Sequence, residues 1–400
     1  MGAENNVPGI RFKGFGGEWV EERIGNVLAE VRRPIELLDK ELYQLVTVKR
    51  RNEGVMPRSL LKGSDILVKT YFVINAGDCL ISKRQVVHGA NGIVPKSLDN
   101  AVVSNEYLVV TDNENITTNF WTVISKRSEM HKMFFISSYG VDIEKLVFDV
   151  NDWKQRTFVI PKLTEQNRIT DYFQHLDTLI TQHQQKHDKL LNIKKALLEK
   201  MFPKQGATEP EIRFKGFSGE WEKKELIDVA KYRNGKAHEN NIDEKGKYIV
   251  VNSKFVSTNG EIKKFSNEQI EPLLKNEIAF VLSDVPNGRA IARTFLVKEN
   301  IRYTLNQRIA GITLTESNSP YYLHILLNRN PYFLKFDDGV KQTNLTKNDV
   351  ESFTDYYPDG NEQTKIGNLF KQLDTLITQH QAQLKKLNNI KQACLEKMFV

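Results

Sequence analysis

Basic and amide side chains gather where turn-forming residues interrupt apolar runs, and those side-chain types suit the base edges and phosphates of nucleic acid. In the first half they are Lys49, Arg50 and Arg51, then Lys83 and Arg84 with His88 and Asn91, then Asn105. In the second they are Asn287, Arg289 and Arg293, then Asn306, Gln307 and Arg308, then Lys341, Gln342, Thr343 and Asn344. Arg and Lys meet guanine edges and phosphates, while Asn and Gln can bond adenine through two hydrogen bonds at once. Solvated loops draw on the same residue types. Gly89, Gly92, Gly140, Gly288 and Gly339 mark turns where backbone could approach a phosphate, and turn geometry alone explains them equally well.

Covalent chemistry finds no comparable constellation. There is no Gly-x-x-x-x-Gly-Lys-Ser/Thr loop, no Asn/Asp-Pro-Pro-aromatic segment, no Gly-x-Ser-x-Gly elbow and no His-Glu-x-x-His pair, and Gly14-Phe15-Gly16 lacks the third glycine of a dinucleotide fingerprint. His183 and His187 stand one helical turn apart, a spacing metal ligands use, but around His380 the corresponding position is Leu384. No further ligand recurs nearby, so polar residues within a helical seam are expected and no metal. Cys79 and Cys394, the only cysteines, lie in separate apolar stretches and read as buried thiols of a reducing compartment.

The elements that must position these residues come in duplicate. Ile10-Arg11-Phe12-Lys13-Gly14-Phe15 with Gly17-Glu18-Trp19 returns as Ile212-Arg213-Phe214-Lys215-Gly216-Phe217 with Gly219-Glu220-Trp221, an offset of 212 − 10 = 202. A second block, Glu165-Gln166, Leu176-Asp177-Thr178-Leu179-Ile180-Thr181-Gln182-His183 and Leu198-Glu199-Lys200-Met201-Phe202, returns from Glu362-Gln363 through Leu373-Asp374 to Met398-Phe399, an offset of 374 − 177 = 197. Between the blocks the sequences differ, apart from landmarks such as Asn105-Glu106 against Asn306-Gln307 and Gly140-Val141 against Gly339-Val340. The division expected is a first domain over 10–162, a helix over 163–202, a linker over 203–211, a second domain over 212–359 and a second helix over 360–400.

Within the helical blocks the apolar positions step by four and three. Ile169, Phe173, Leu176, Ile180, Leu190 and Leu197 form one seam, and Ile366, Phe370, Leu373, Ile377, Leu384 and Leu387 the other. This heptad spacing predicts long helices packed on helices, with Lys194 and Lys391 at seam positions specifying register or leaving the seam to contact another protein. An antiparallel pair is the simplest arrangement, and periodicity alone permits a parallel one. In the variable stretches, strands are expected at 42–48, 66–69, 79–82, 107–110, 248–251, 278–282, 290–295 and 309–314, with helices near 119–135 and 321–327. The fold class expected is α/β (α+β), two globular domains on a two-helix spacer.

The formal charge of +7 and pI near 9.0 favour polyanionic partners without singling out nucleic acid. No uncharged apolar stretch is long enough to cross a bilayer, and residues 1–8 lack both the order of a secretory signal and a myristoylation pattern, which points to the cytoplasm.

The tandem order of Phe-Lys-Gly-Phe-x-Gly-Glu-Trp openings and Glu-Gln…Leu-Asp-Thr-Leu-Ile…Leu-Glu-Lys-Met-Phe helices resembles the specificity subunits of Type I restriction–modification systems over nearly the whole chain. One departure is Tyr357-Pro358-Asp359-Gly360 ahead of the second helix, where the first has Ile160-Pro161, so the start of the second helix is less well defined. The resemblance implies recognition of a bipartite double-stranded DNA sequence, one half-site per domain, with the helices setting the gap. It further implies two methyltransferase subunits bound through the helices and repeated blocks, and ATP-dependent restriction subunits beyond them. Adenine in each half-site would be methylated by the partners, so S-adenosylmethionine, ATP and Mg would belong to them and none to this chain. A protein–protein adaptor with incidental basic loops, or a metal-dependent nuclease built from scattered carboxylates, are the alternatives.

Overall fold

A computed structural model describes residues 6–68, 70–204, 206–315 and 319–400. The first residues of the stretch read for a leader, the last residue of the strand expected at 66–69 and one residue of the 203–211 linker lie outside the described residues. The chain forms two compact units, one of residues 1–184 with 382–400 and the other of residues 185–381. Among the described residues no helix is long and apolar enough to cross a membrane.

The first unit holds a four-stranded sheet in the order Ala29–Glu30, Tyr107–Thr111, Cys79–Ser82, Asn91–Ile93. Its five-stranded sheet runs Pro34–Ile35, Tyr71–Val73, Val102–Ser104, Leu42–Lys49, Gly54–Lys62. In the second unit the corresponding sheets run Ala230–Asn234, Ile309–Leu314, Ile278–Val281, Thr294–Leu296 and Phe265–Ser266, Tyr248–Val251, Tyr303–Leu305, Pro272–Leu273. Read from opposite edges, the second sheets have the same order save for one extra edge strand. Each contains one parallel pair, at Leu45 with Val102 and at Val250 with Thr304. Dissimilar sequences thus close on the same topology, because in both units continuous apolar runs such as Cys79–Ser82 and Ile278–Val281 are buried on both faces and take the interior of a sheet.

The strands expected at 42–48, 79–82, 107–110, 248–251, 278–282 and 309–314 are present to within a residue or so, as are the two helical regions. The strand at 66–69 is not: a 3-10 turn over Gly63–Asp65 buries Ile66 and leaves Leu67 94% exposed, without pairing. The strand at 290–295 shrinks to Thr294–Leu296 because Ala292 takes φ +54°, which a continuous strand excludes. Gly54–Lys62 escapes sequence reading because it is an edge strand carrying Pro57 and exposed Met56 and Leu60, and its pairing slips register at Leu45/Val46.

The two long helices are Leu163–Lys200 and Gly360–Lys397, each of 38 residues, about 57 Å long at ~1.5 Å per residue. Asp359 explains the altered opening of the second, since its Oδ1 accepts from Asn361 N at 2.8 Å and Glu362 N at 3.2 Å, capping the helix. Ile169, Phe173, Leu176, Ile366, Phe370 and Leu373 are buried in the domain cores. Beyond them Ile180, Leu190, Leu197, Ile377, Leu384 and Leu387 are all half-buried, the exposure of a two-helix seam.

Within each unit the helical segments run antiparallel. In the first, Tyr172 lies against Cys394 and Asp177 pairs with Lys391. In the second, Phe202 lies 6.1 Å from Phe370 and Lys194 pairs with Asp374 at 2.5 Å. The seam lysines therefore specify register through equivalent aspartates, rather than leaving the seam. Lys194→Ala should lower stability by about 1 kcal/mol, with a coupling to Asp374→Ala of ~0.5–1 kcal/mol in a urea double-mutant cycle. Zero coupling would remove the pair from register selection.

The duplicated blocks also lock the helices to the sheets. Arg11 makes a bidentate pair with Glu165 at 2.7 Å for both bonds, and Arg213 repeats it with Glu362 at 2.8 Å. The adjacent glutamines are equally buried: Gln166 donates to Asn115 O at 2.7 Å and Pro161 O at 2.9 Å, and Gln363 donates to Pro358 O at 3.0 Å. The closing Met-Phe residues seat the end of each helix in the unit opened by the other half. Phe202 packs on Trp221 and Tyr322, and Phe399 on Trp19, Phe120 and Phe173. Backbone closes the same joints, Ile212 N on Lys200 O and Ile10 N on Lys397 O, both 2.8 Å.

Candidate nucleic-acid interface

In the first unit Cys79–Ser82 and Tyr107–Thr111 are antiparallel neighbours with Ser82 opposite Tyr107, so the chain leaves through Lys83-Arg84 beside the arriving Asn105-Glu106. Lys83 Nζ donates to Asn105 O at 2.6 Å and Arg84 Nε to Glu106 at 2.9 Å. Partial burial, then the charge of Arg32, push the Lys83 ammonium below its ordinary pKa. The hairpin joining Leu42–Lys49 to Gly54–Lys62 adds its tip to this edge. Arg51 N donates to His88 O and Asn52 N to Gly89 O, both at 2.8 Å. The tip turns through left-handed backbone at Arg51 and Asn52, φ +59° and +56°.

Arg50 reaches Gln85 at 2.7 Å and Glu144 at 2.5 Å, and His88 lies 3.5 Å from the same carboxylate. Lys49, Arg50, Arg51, Lys83, Arg84, His88 and Asn105 thus share one edge, with Glu106 and Glu144 set between the cations. Asn91 does not belong to it. At 2% exposure its amide donates to Asn52 Oδ1 at 3.0 Å and accepts from Ser125 Oγ at 2.8 Å, so it is committed to the interior and cannot reach a base.

The second unit repeats the edge with different chemistry. Val281 pairs with Ile309, and Leu282 N donates to Arg308 O at 3.0 Å, bringing the Asn306–Gln307–Arg308 turn to the end where Asn287, Arg289 and Arg293 follow. Ser283–Asp284 pairs with Thr343–Asn344, and Gln342 donates to Ser283 Oγ at 2.7 Å. Asn287 Nδ2 donates to Gly339 O at 3.2 Å, tying in the loop before Lys341. Asp284 accepts from Ile291 N at 3.0 Å, and a Cβ on Gly288 would fall 2.1 Å from that carboxylate, so any larger residue there has to displace it. Thr343, expected on this edge from the sequence, is like Asn91 withdrawn from it: it is 6% exposed and forms part of the small sheet.

Arg329 joins this edge and was not singled out from the sequence, where Asn328-Arg329-Asn330 reads as an ordinary helix exit. Its guanidinium lies 3.3 Å from Ile291 O. Arg293 Nε donates to Arg289 O and Arg329 reaches the same loop at Ile291 O, and burial, followed by the charges of Arg329 and Arg289, lowers the Arg293 pKa against the opposing charge of Asp284. Among the described residues none of Arg289, Arg293, Arg308 and Arg329 has a carboxylate within ion-pairing distance, unlike Arg50 and Arg84. Gln307 bonds Glu239. Also among the described residues, no three His, Cys, Asp or Glu side chains gather as a metal site. Cys79 is buried, which pushes its thiol up to about 12, and Cys394 lies 3.8 Å from Tyr172 Oη. Neither is disulfide-bonded.

Residues 218–389 match the family described as the Type I restriction modification DNA specificity domain. Among solved structures, the Type-I restriction-modification system S subunit from M. genitalium shares the fold with a TM-score of 0.64 at 13% identity, covering 98% of this chain and 99% of that one. The HsdS subunit from Thermoanaerobacter tengcongensis aligns at 16% identity over 95% of this chain and 96% of its own, with a TM-score of 0.44. No curated protein matches the sequence.

Proposed function

We propose that this chain, whose residues 218–389 match the family described as the Type I restriction modification DNA specificity domain, is a specificity subunit whose two domains each read one half of a bipartite double-stranded DNA sequence. The observation that carries the proposal is the cluster of Arg289, Arg293 and Arg329, with Arg308 on the same edge and, among the described residues, no carboxylate in ion-pairing contact with any of them. Guanidiniums that outnumber the one nearby carboxylate, Asp284, and form no ion pair with it are left to meet phosphates or guanine edges. The corresponding edge of the first unit supplies Lys49, Arg51 and Lys83 beside Asn105.

The chain does no covalent chemistry in this reading. Methyltransferase subunits, two per specificity subunit, bind the long helices and repeated blocks and carry S-adenosylmethionine. Restriction subunits, where present, carry ATP and Mg. The adenine to be methylated must leave the base stack to reach a partner's pocket, so this chain's task is to hold the duplex in register. The long helices act as the spacer between half-sites.

Methylome sequencing of cells expressing this chain with and without its candidate methyltransferase tests the proposal. The expected result is a new bipartite motif, one adenine modified in each half, that appears only when both are expressed. No new modification, with the methyltransferase active beside another specificity subunit, would favour an adaptor.

A further inference from the structure

We infer that Val141 and Val340 are apolar readers of DNA, one in each domain, an inference that rests on the DNA-reading function proposed above. Val141 is fully exposed and Val340 is 76% exposed. They occupy corresponding places, 340 − 141 = 199 residues apart, each directly after a glycine, in loops of otherwise different sequence.

Both loops are anchored beside the cationic edge. In the first, Glu144 pairs with Arg50 and Phe148 N donates to Lys83 O at 3.0 Å. In the second, Gly339 O accepts from Asn287 at 3.2 Å and Gln342 donates to Ser283. An aspartate shapes each tip, Asp142 accepting from Glu144 N at 3.0 Å and Asp338 from Val340 N at 2.9 Å, so those acids stabilise the loop backbone.

A lone exposed valine is ordinary on any surface. Two at matching tips, in domains whose sequences have diverged around them, are not explained by folding, because side chains this exposed add little to either core. Each isopropyl group gains only when a partner covers it. On a cationic edge facing DNA, the apolar feature of a base edge is the thymine C5-methyl group in the major groove, and an aliphatic side chain against it discriminates thymine from the other bases.

The test uses the full chain assembled with methyltransferase subunits and duplexes carrying the methylated motif. Val141→Ala and Val340→Ala should each weaken binding about ten-fold, from the apolar area lost, without changing the slope of log affinity against log salt. Arg289→Ala, by contrast, should lower that slope by about 1. Uracil in place of thymine in the matching half-site should weaken the unaltered complex and add nothing to the valine variant. Unchanged affinity in both variants, a fallen salt slope, or a uracil effect that persists in the variants would overturn the inference while leaving DNA reading intact. Failure of the unaltered complex to prefer its motif would instead overturn the function, and this inference with it.

Discussion

Arg213→Ala should destabilise the second unit by about 3–5 kcal/mol, the cost typical of leaving a buried charge without its partner. Glu362 is 0% exposed, and both its oxygens are held by the Arg213 guanidinium at 2.8 Å. With the arginine gone, the buried Glu362 carboxylate loses that fork. Urea unfolding followed by Trp221, the one tryptophan of residues 185–381, reads the loss directly. Adding Glu362→Gln should recover a large part of it, since the uncompensated charge is removed. A loss under 1 kcal/mol would mean that the repeated Arg-Phe-Lys-Gly opening is not what fixes the start of the helix.

Replacing residues 222–355 by the corresponding segment of another specificity subunit should change one half of the methylated sequence completely and leave the other half intact. The segment lies inside the matched specificity domain and includes Arg289, Arg293, Arg308, Arg329 and the 338–344 loop. It stops short of Glu362 and begins after Arg213 and Trp221, so the clasp is retained together with the Trp221 and Phe370 contacts of Phe202, and the incoming segment must supply an aromatic side chain in place of Tyr322. Methylome sequencing of cells carrying the chimera gives the answer. An unchanged motif, or simultaneous change in both halves, would defeat the assignment of one half-site to each domain.

The scaffold was far more legible than the cationic edge, and the reason is physical. Heptad spacing and verbatim repeats are local in sequence, so the seam from Ile169 to Leu197 and its copy could be placed without knowing the fold. The buried Glu-Gln pairs show what repetition could not: Glu165 and Gln166 look like solvent residues until Arg11, Asn115 and Pro161 are brought to them by the chain. On the cationic edges, residue type was a poor guide to exposure. Asn91 and Arg51 carry equally plausible chemistry, but a strand buries the first while a left-handed turn presents the second. Arg329 became visible only once its exit loop was seen bonded to Ile291 O.

The seating of Phe399 among Trp19, Phe120 and Phe173 fixes the order in which the chain can mature on the ribosome. Residues 185–381 hold everything the second unit requires, so it can close as soon as they emerge. The first unit, although begun earlier, lacks part of its aromatic core until Phe399 appears, 399 − 184 = 215 positions after its main segment ends. At ~5–20 residues per second that wait is about 10–40 s. During it the apolar seat for Phe399 stands open.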